Sequence, residues 1–174
     1  MTNRSPLCSN ILVTTLAYIA LGSNVGNREQ NLLRAVGEVG KLPHSRVTAI
    51  SGFYDTEPVG GVIQESFLNA VLQLETALSP HDLHRELQRI EVEIFQRVKD
   101  VLWGPRSMDL DLLLYGDLIL GEETLTVPHP RLHLRRFVLA PLDEIAPEFI
   151  HPLLGSSVRS LLCALPLAER VTRI

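Results

Sequence analysis

"SFLNAVLQLETALSPHDLHRELQRIEVEI", residues 66–94, changes its periodicity halfway along. From Phe67 to Glu75 the chain alternates: Phe67, Asn69, Val71, Gln73 and Glu75 share one face, Leu68, Ala70, Leu72 and Leu74 the other. That two-residue repeat is a strand. Beyond Ser79 the repeat turns helical. Ser79 can cap, Pro80 takes the first helical position and Asp82 puts an acid in the first turn. Leu83, Leu87, Ile90 and Ile94 then form one apolar stripe, with Gln88 and Glu91 turned away from it. A strand with one apolar and one mixed face, followed at once by an amphipathic helix, predicts an α+β fold with helices packed on a sheet.

Working outward, "SRVTAISGFYDTEPVGG" (45–61) is β-branched and alternating and predicts an antiparallel neighbour for that strand. "LAYIALGSN" (16–24) reads as a first strand over 16–21 that ends in a turn at Gly22-Ser23-Asn24. Asn27 then caps a helix, Gln30 completes a capping box, and Leu32, Leu33, Val36 and Val39 supply its apolar face until Leu42-Pro43 closes it. Downstream, "WGPRSMDLDLLLYGD" (103–117) is a fourth strand and "LTVPH" (125–129) a short fifth one. "RRFVLAPLDEIAP" (135–147) and "SVRSLLCALPLAER" (157–170) give two C-terminal helices, the first broken by Pro141. The order β-α-β-β-α-β predicts a ferredoxin-like core, a mostly antiparallel sheet with helices packed on it and C-terminal helical additions. Such a core hosts many unrelated activities, so the fold decides no function.

With 174 residues, the chain is expected to form one domain over 15–174, preceded by a flexible extension at 1–14. Hydrophobic residues at 45% and charged ones at 21% fit an ordinary soluble protein. The formal net charge of -4 argues against a general nucleic-acid binder. "ILVTTLAYIALG" (11–22) is apolar but too short to span a bilayer, so no membrane association or export is expected, and the cytoplasm is the expected compartment. Cys8 and Cys163 show no metal-ligand spacing and read as two separate thiols.

Asp109 and Asp111 open an otherwise apolar strand, and carboxylates there are costly unless something positive answers them. At i and i+2 both leave one face, close enough to bridge hard cations. Magnesium takes one or two carboxylates together with waters and substrate phosphates, so the pair points to metal ions holding a polyphosphate. A bare Asp-x-Asp is a weak signal, for it is also what a strand end facing water looks like. Its neighbours strengthen it. Gly104-Pro105 delivers Arg106 beside the same strand, and Arg97 and Lys99 lie just upstream. Trp103, the one tryptophan, either closes over a ligand or packs on the sheet. "VPHPRLHLRRF" (127–137) gathers His129, Arg131, His133, Arg135 and Arg136 as a candidate anion site. Phe67 and Phe137 could sandwich a flat heterocycle whose edge the Asn69 amide could read.

"LAYIALGSNVGNREQNL", "FYDTEPVG", "FLNAV", "WGPRSMDLDLLLYGD" and "VPHPRLHLRRFVLAPLDEIAP" together resemble the 6-hydroxymethyl-7,8-dihydropterin pyrophosphokinases of folate biosynthesis, from about residue 17 to 165. The resemblance implies transfer of the β,γ-diphosphate of ATP to the pterin hydroxymethyl group, with AMP released. It places two magnesium ions on Asp109 and Asp111, and catalysis on these with Arg97 and Arg106. ATP would meet Gln88, Glu91, Lys99, Trp103, Arg106, Leu112, Thr126, His129 and Arg135. The pterin would meet Thr56, Val59, Phe67, Asn69, Trp103 and Phe137. It further implies a monomer or weak homodimer. Two departures stand out. The family's usual Gly-Arg-x-Arg run is absent from "IFQRVKDVLWGPR" (94–106), where Leu102 replaces a common Arg, and Arg97 and Lys99 are left for the cationic roles. Phe67 stands where Tyr is frequent, which preserves stacking.

Three other readings compete. A nucleotidyltransferase would pair a Gly-Ser turn with Asp-x-Asp, but Gly22-Ser23 lies far upstream of Asp109. A dinucleotide site would need a full Gly-x-Gly-x-x-Gly, which "ALGSNVG" lacks. An RNA-binding or ligand-sensing module fits the element order, yet the 5% aromatic content and acidic balance disfavour RNA, and a sensor has no need of the two aspartates.

Overall fold

Strand β4 (Phe67–Thr76) lies inside an antiparallel sheet, bonded to β1 (Thr15–Ser23) on one side and to β2 (Ser45–Ile50) and β3 (Tyr54–Thr56) on the other. The computed structural model describes residues 12–57, 64–96, 106–167 and 170–174. Strand β5 (Asp109–Tyr115) pairs with the free side of β1, and β8 (Val171–Arg173) pairs with β3. Every pairing among the described residues is antiparallel, in the order β5-β1-β4-β3-β8, with β2 also on β4. Mixed α and β structure around an antiparallel sheet is as the sequence predicts.

The alternation in β4 separates two cores. Leu68, Leu72 and Leu74, with Ile19 and Leu21 of β1, pack under α1 (Arg28–Val39) and α2 (Pro80–Arg89). Val71, with Tyr18 of β1, packs under α3 (Arg136–Ile145) and α4 (Val158–Ala164). On that second face the apolar packing covers Tyr18 and Val71 and reaches Ala20 at the cavity's border, while Gly22, Phe67 and Asn69 are left to line an open cavity. That uncovered end holds the candidate site.

Both N-caps form, Asn27 Oδ1 accepting from the Gln30 N–H at 3.0 Å and Ser79 Oγ from the Asp82 N–H at 3.1 Å, but the Gln30 side chain does not bond back to Asn27 to complete the capping box. Several details differ from the sequence expectation. Helix α1 buries Leu32, Ala35 and Val39, whereas Leu33 is 56% exposed, because one residue's rotation of about 100° carries it off the stripe. Glu91 does not turn to solvent. It sits in a π-helical turn (Ile90–Ile94) continuing α2, is 4% exposed, and its Oε1 accepts from the Leu110 N–H at 2.7 Å. Strand β5 is a sheet edge, and a buried edge N–H needs an acceptor.

The 45–61 segment makes two strands rather than one. Ser51 breaks it, donating its N–H to the Val71 carbonyl at 2.9 Å while its Oγ accepts from the Val71 N–H at 3.0 Å. "LTVPH" does not join the main sheet. Its β7 (Thr126–Val127) pairs with β6 (Leu120–Gly121) in a separate ribbon, and the added strand of the main sheet is β8, which the sequence reading did not foresee. Helix α3 runs unbroken through Pro141, its face of Val138, Leu139 and Leu142 held by packing. Strand β5 carries a bulge: Leu112 pairs with Ile19 and Leu114 with Tyr18, so Leu113 is an extra residue, and its carbonyl accepts from the His129 N–H at 2.8 Å. Cys163 is free and exposed, and Cys8 lies outside the described residues. No helix among the described residues is long and apolar enough to cross a membrane.

Candidate active site

Register explains why the site forms where it does. Gly22 of β1 lies between Asn69 of β4 and Asp109 of β5, and Ala20 lies between Val71 and Asp111. Two small residues in the middle strand hollow the sheet, and larger side chains rise on both sides. A Cβ at Gly22 would sit 2.9 Å from Asn69 Oδ1. The resulting cavity is ≈ 550 Å³, the size of a small-molecule site.

One end of it suits a flat polar ring. Asn69 Nδ2 donates to Thr56 Oγ1 at 2.7 Å, and both residues are buried, which fixes the amide's orientation. Phe67 and Phe137 line the same cavity from β4 and α3.

The other end is ionic. Asp109 and Asp111 both line the cavity and are both part-exposed, the one-face arrangement that alternation predicts. Arg106 Nη1 donates to Asp109 Oδ2 at 2.6 Å. The Arg106 backbone is itself clamped by Asn24, whose Oδ1 accepts its N–H at 2.7 Å and whose N–H donates to its carbonyl at 3.0 Å. Asn24 Nδ2 also donates to Gln64 Oε1 at 3.0 Å, and Asn31 Nδ2 to the Ser107 carbonyl at 3.1 Å. The turn after β1 therefore sets the approach to β5. The donor set suits magnesium. Among the described residues no three His, Cys, Asp or Glu side chains gather as a cage, and two carboxylates with room for phosphate and water are what this ion prefers.

His129, Arg131 and Arg135 line the same cavity, with Asp109 near enough to act on His129 and both acids near enough to act on Arg135. Arg135 Cζ stands 5.5 Å from the centre of the Phe137 ring, so the cationic and aromatic features touch. Burial, then repulsion from Arg131 and Arg106, lowers the Arg135 pKa from its ordinary value, against the pull of Asp111 and Asp109. Burial foremost, followed by Arg135 and Arg131, lowers the His129 pKa to about 4. An unfolded chain returns His129 to about 6.5 and so binds more protons than the native state between those values. Stability should therefore fall as pH drops from about 6.5 through 4. Urea unfolding of wild type and His129→Asn at about pH 7 and pH 5 checks this. Wild type is expected to lose more than the variant, by on the order of 1 kcal/mol after allowing for partial exposure.

The cavity brings together Thr56, Phe67, Asn69, Gln88, Glu91, Arg106, Asp109, Asp111, His129, Arg135 and Phe137. It does not include Leu112, whose side chain points into the core under α1 and α2, or Thr126, which is exposed on β7. Val59, Arg97, Lys99 and Trp103 lie outside the described residues. Sequence reading missed Gln64, Glu57 and His84, and named Arg131 only within the candidate anion cluster, not among the ATP contacts. His84 could have been found, because it stands one helical turn before Gln88 and two before Glu91.

A family model described as 7,8-dihydro-6-hydroxymethylpterin-pyrophosphokinase (HPPK) matches residues 18–147. The 2-amino-4-hydroxy-6-hydroxymethyldihydropteridine pyrophosphokinase of Bacillus subtilis is 45% identical over 136 residues, 78% of this chain and 81% of that one. The enzyme of the same name from Pseudomonas aeruginosa is 42% identical over 149 residues, 86% of this chain and 91% of that one. A Plasmodium falciparum HPPK-DHPS crystallised with pteroate superimposes with a TM-score of 0.70 at 14% identity, a likeness of fold. The match covers 87% of this chain and 44% of that one, so the present chain spans less than half of the Plasmodium protein.

Proposed function

The chain belongs to the 7,8-dihydro-6-hydroxymethylpterin-pyrophosphokinase family, and from that premise we propose that it is the 2-amino-4-hydroxy-6-hydroxymethyldihydropteridine diphosphokinase of folate synthesis. It transfers the β,γ-diphosphate of ATP to 6-hydroxymethyl-7,8-dihydropterin, and residues 15–174 act as one catalytic unit on a ferredoxin-like core. The observation that carries this is one cavity that joins a ring-reading end at Thr56, Asn69, Phe67 and Phe137 to a two-carboxylate wall at Asp109 and Asp111.

In the reaction the pterin hydroxyl oxygen bonds to the β-phosphorus of ATP and gives up its proton to solvent water, and the bond from that phosphorus to the α,β-bridging oxygen breaks, so AMP leaves with the electron pair. Asp109 and Asp111 would hold two magnesium ions, which when bound neutralise the phosphate charge and align the two reacting oxygens. The chain's own residues do the rest by positioning. Phe67 and Phe137 hold the ring, while Asn69, locked by Thr56, reads its edge. Arg106, His129 and Arg135 hold phosphate oxygens, and Gln88 and Glu91 flank the nucleotide. Burial and the neighbouring Arg135 and Arg131 lower the His129 pKa to about 4 in the ligand-free chain, so it would meet the incoming phosphate as a neutral hydrogen-bonding group. Holding both reactants in line supplies most of such a rate enhancement.

Product identification tests the reading. ATP, magnesium and the dihydropterin should give AMP and the pterin diphosphate in equal amounts. Formation of ADP or free pyrophosphate would exclude diphosphate transfer.

The ring-reading end gives a further expectation. In Gly22→Ala the new methyl meets the Asn69 amide rather than backbone, so the fold should persist while Asn69 turns and its bond to Thr56 breaks. Calorimetry should show pterin affinity lowered by roughly tenfold or more, with the affinity for an ATP analogue unchanged within about twofold.

A further inference from the structure

Arg28 is the first residue of α1, where the helix dipole disfavours a positive charge, so its placement needs another reason. Its Nη1 donates to Asp55 Oδ1 at 2.8 Å, to the Ser66 carbonyl at 2.8 Å and to Ser66 Oγ at 2.7 Å. Ser66 Oγ in turn donates to the same Asp55 oxygen at 2.9 Å. The side chains of Arg28 and Asp55 are 31% and 35% exposed, sheltered enough for charge-assisted bonds to hold.

Neither Arg28 nor Asp55 lines the cavity. Their chain neighbours do. Asp55 immediately precedes Thr56, Ser66 immediately precedes Phe67, and Thr56 and Phe67 are the last paired residues of β3 and β4. By strand alternation Asp55 leaves the face opposite Thr56, toward α1. One guanidinium nitrogen thus ties together the two strand ends that carry the edge-reading Thr56 and the stacking Phe67, from behind the sheet.

We propose that Arg28 is a positioning residue for the ring-binding end of the site, fixing the separation of Thr56 and Phe67 through Asp55 and Ser66; this rests on the pterin reading of that end. The role is confined to one substrate. The nucleotide side is built from α2, Arg106, β5 and the 129–135 turn. Among the described residues the knot hydrogen-bonds to none of these and reaches Arg106 only through Asn24, which donates to the Glu65 carbonyl at 3.3 Å, whereas Thr56 and Phe67 follow it directly. Because all three contacts converge on one nitrogen, a lysine ammonium, with three donors on a stem one atom shorter, can restore most of them.

Steady-state AMP release and calorimetric binding of the dihydropterin and of an ATP analogue, on wild type, Arg28→Ala, Arg28→Lys and Ser66→Ala, test this. Arg28→Ala is expected to raise the pterin KM and Kd about tenfold, with kcat and the ATP KM within about twofold. Arg28→Lys should recover most of that loss, and Ser66→Ala should shift the pterin terms about threefold in the same direction. An unchanged pterin Kd in Arg28→Ala, or an equal weakening of both substrates, overturns the proposal. If Arg28→Ala fails to fold, an unchanged pterin Kd in Ser66→Ala overturns it instead. Wild type that binds the pterin but releases no AMP refutes the reaction, and the pterin affinities still decide the role of Arg28.

Discussion

Alanine at Asp111 is expected to reduce pterin-dependent AMP release roughly a thousandfold without unfolding the protein. Asp111 stands part-exposed opposite Ala20 and lines the cavity, so its removal opens no core void. What is lost is half of the carboxylate pair that would hold magnesium against the phosphates. The loss should fall on kcat, because charge neutralisation and alignment matter most as the diphosphate moves. Pterin affinity should stay within about twofold, since the ring end is built from other strands. Asp111→Asn, nearly identical in shape, should be about as damaging and would assign the effect to charge. Asp109→Ala should be equally inactive and should also release Arg106, which Asp109 holds at 2.6 Å. Retention of activity within tenfold in Asp111→Ala would remove the carboxylate pair from the mechanism. Rate assays over a magnesium titration, with circular dichroism for the fold, decide the matter.

The second large effect is expected at Arg135. Its guanidinium is half-buried beside Arg131 and Arg106, an arrangement that lowers its pKa despite the pull of Asp111 and Asp109 and that an anionic ligand would relieve further. Arg135→Ala should reduce kcat/KM for ATP roughly a hundredfold, and Arg135→Lys, unable to reproduce the planar fork, should recover only part of it. The same substitution uncovers one side of Phe137, so pterin affinity should weaken by a few-fold. Thermal unfolding without ligand should show no loss of stability, because a crowded cation is being removed. A marked fall in the melting temperature would mean that Arg135 serves the fold rather than the substrate.

Periodicity made β4 and α2 legible, since long alternating and helical patterns report which face is buried whatever they pack against. Asp109 and Asp111 were legible for the same reason, the strand's repeat of two placing both on one face. Failures came where a tertiary partner overrode the local pattern. Glu91 looked solvent-facing by helical geometry and is buried because an edge-strand N–H needs its carboxylate. Pro141 looked like a helix break, but the packed face of α3 carries the helix past it. Strand β8 is three residues long with one apolar side chain, too little for any pattern, and it is fixed by pairing to β3 and by Arg173 donating to Glu144 at 2.8 Å. Gly22 and Ala20 carry no chemistry of their own. Their importance as the hollow between two functional strands appears only once register is known.

The bulge in β5 has a consequence for how this chain could change over generations. Removing Leu113 would leave both halves of the strand in their present alternation, with Asp109 and Asp111 still opposite Gly22 and Ala20 and Tyr115 still opposite Ala17. Neither aspartate, then, requires the additional residue. What requires it is the turn that carries His129, Arg131 and Arg135, because the Leu113 carbonyl is where His129 is moored. A lineage that lost this one codon would keep its acids and loosen the His129 end of the turn, with Arg135 still carried by the packed start of α3.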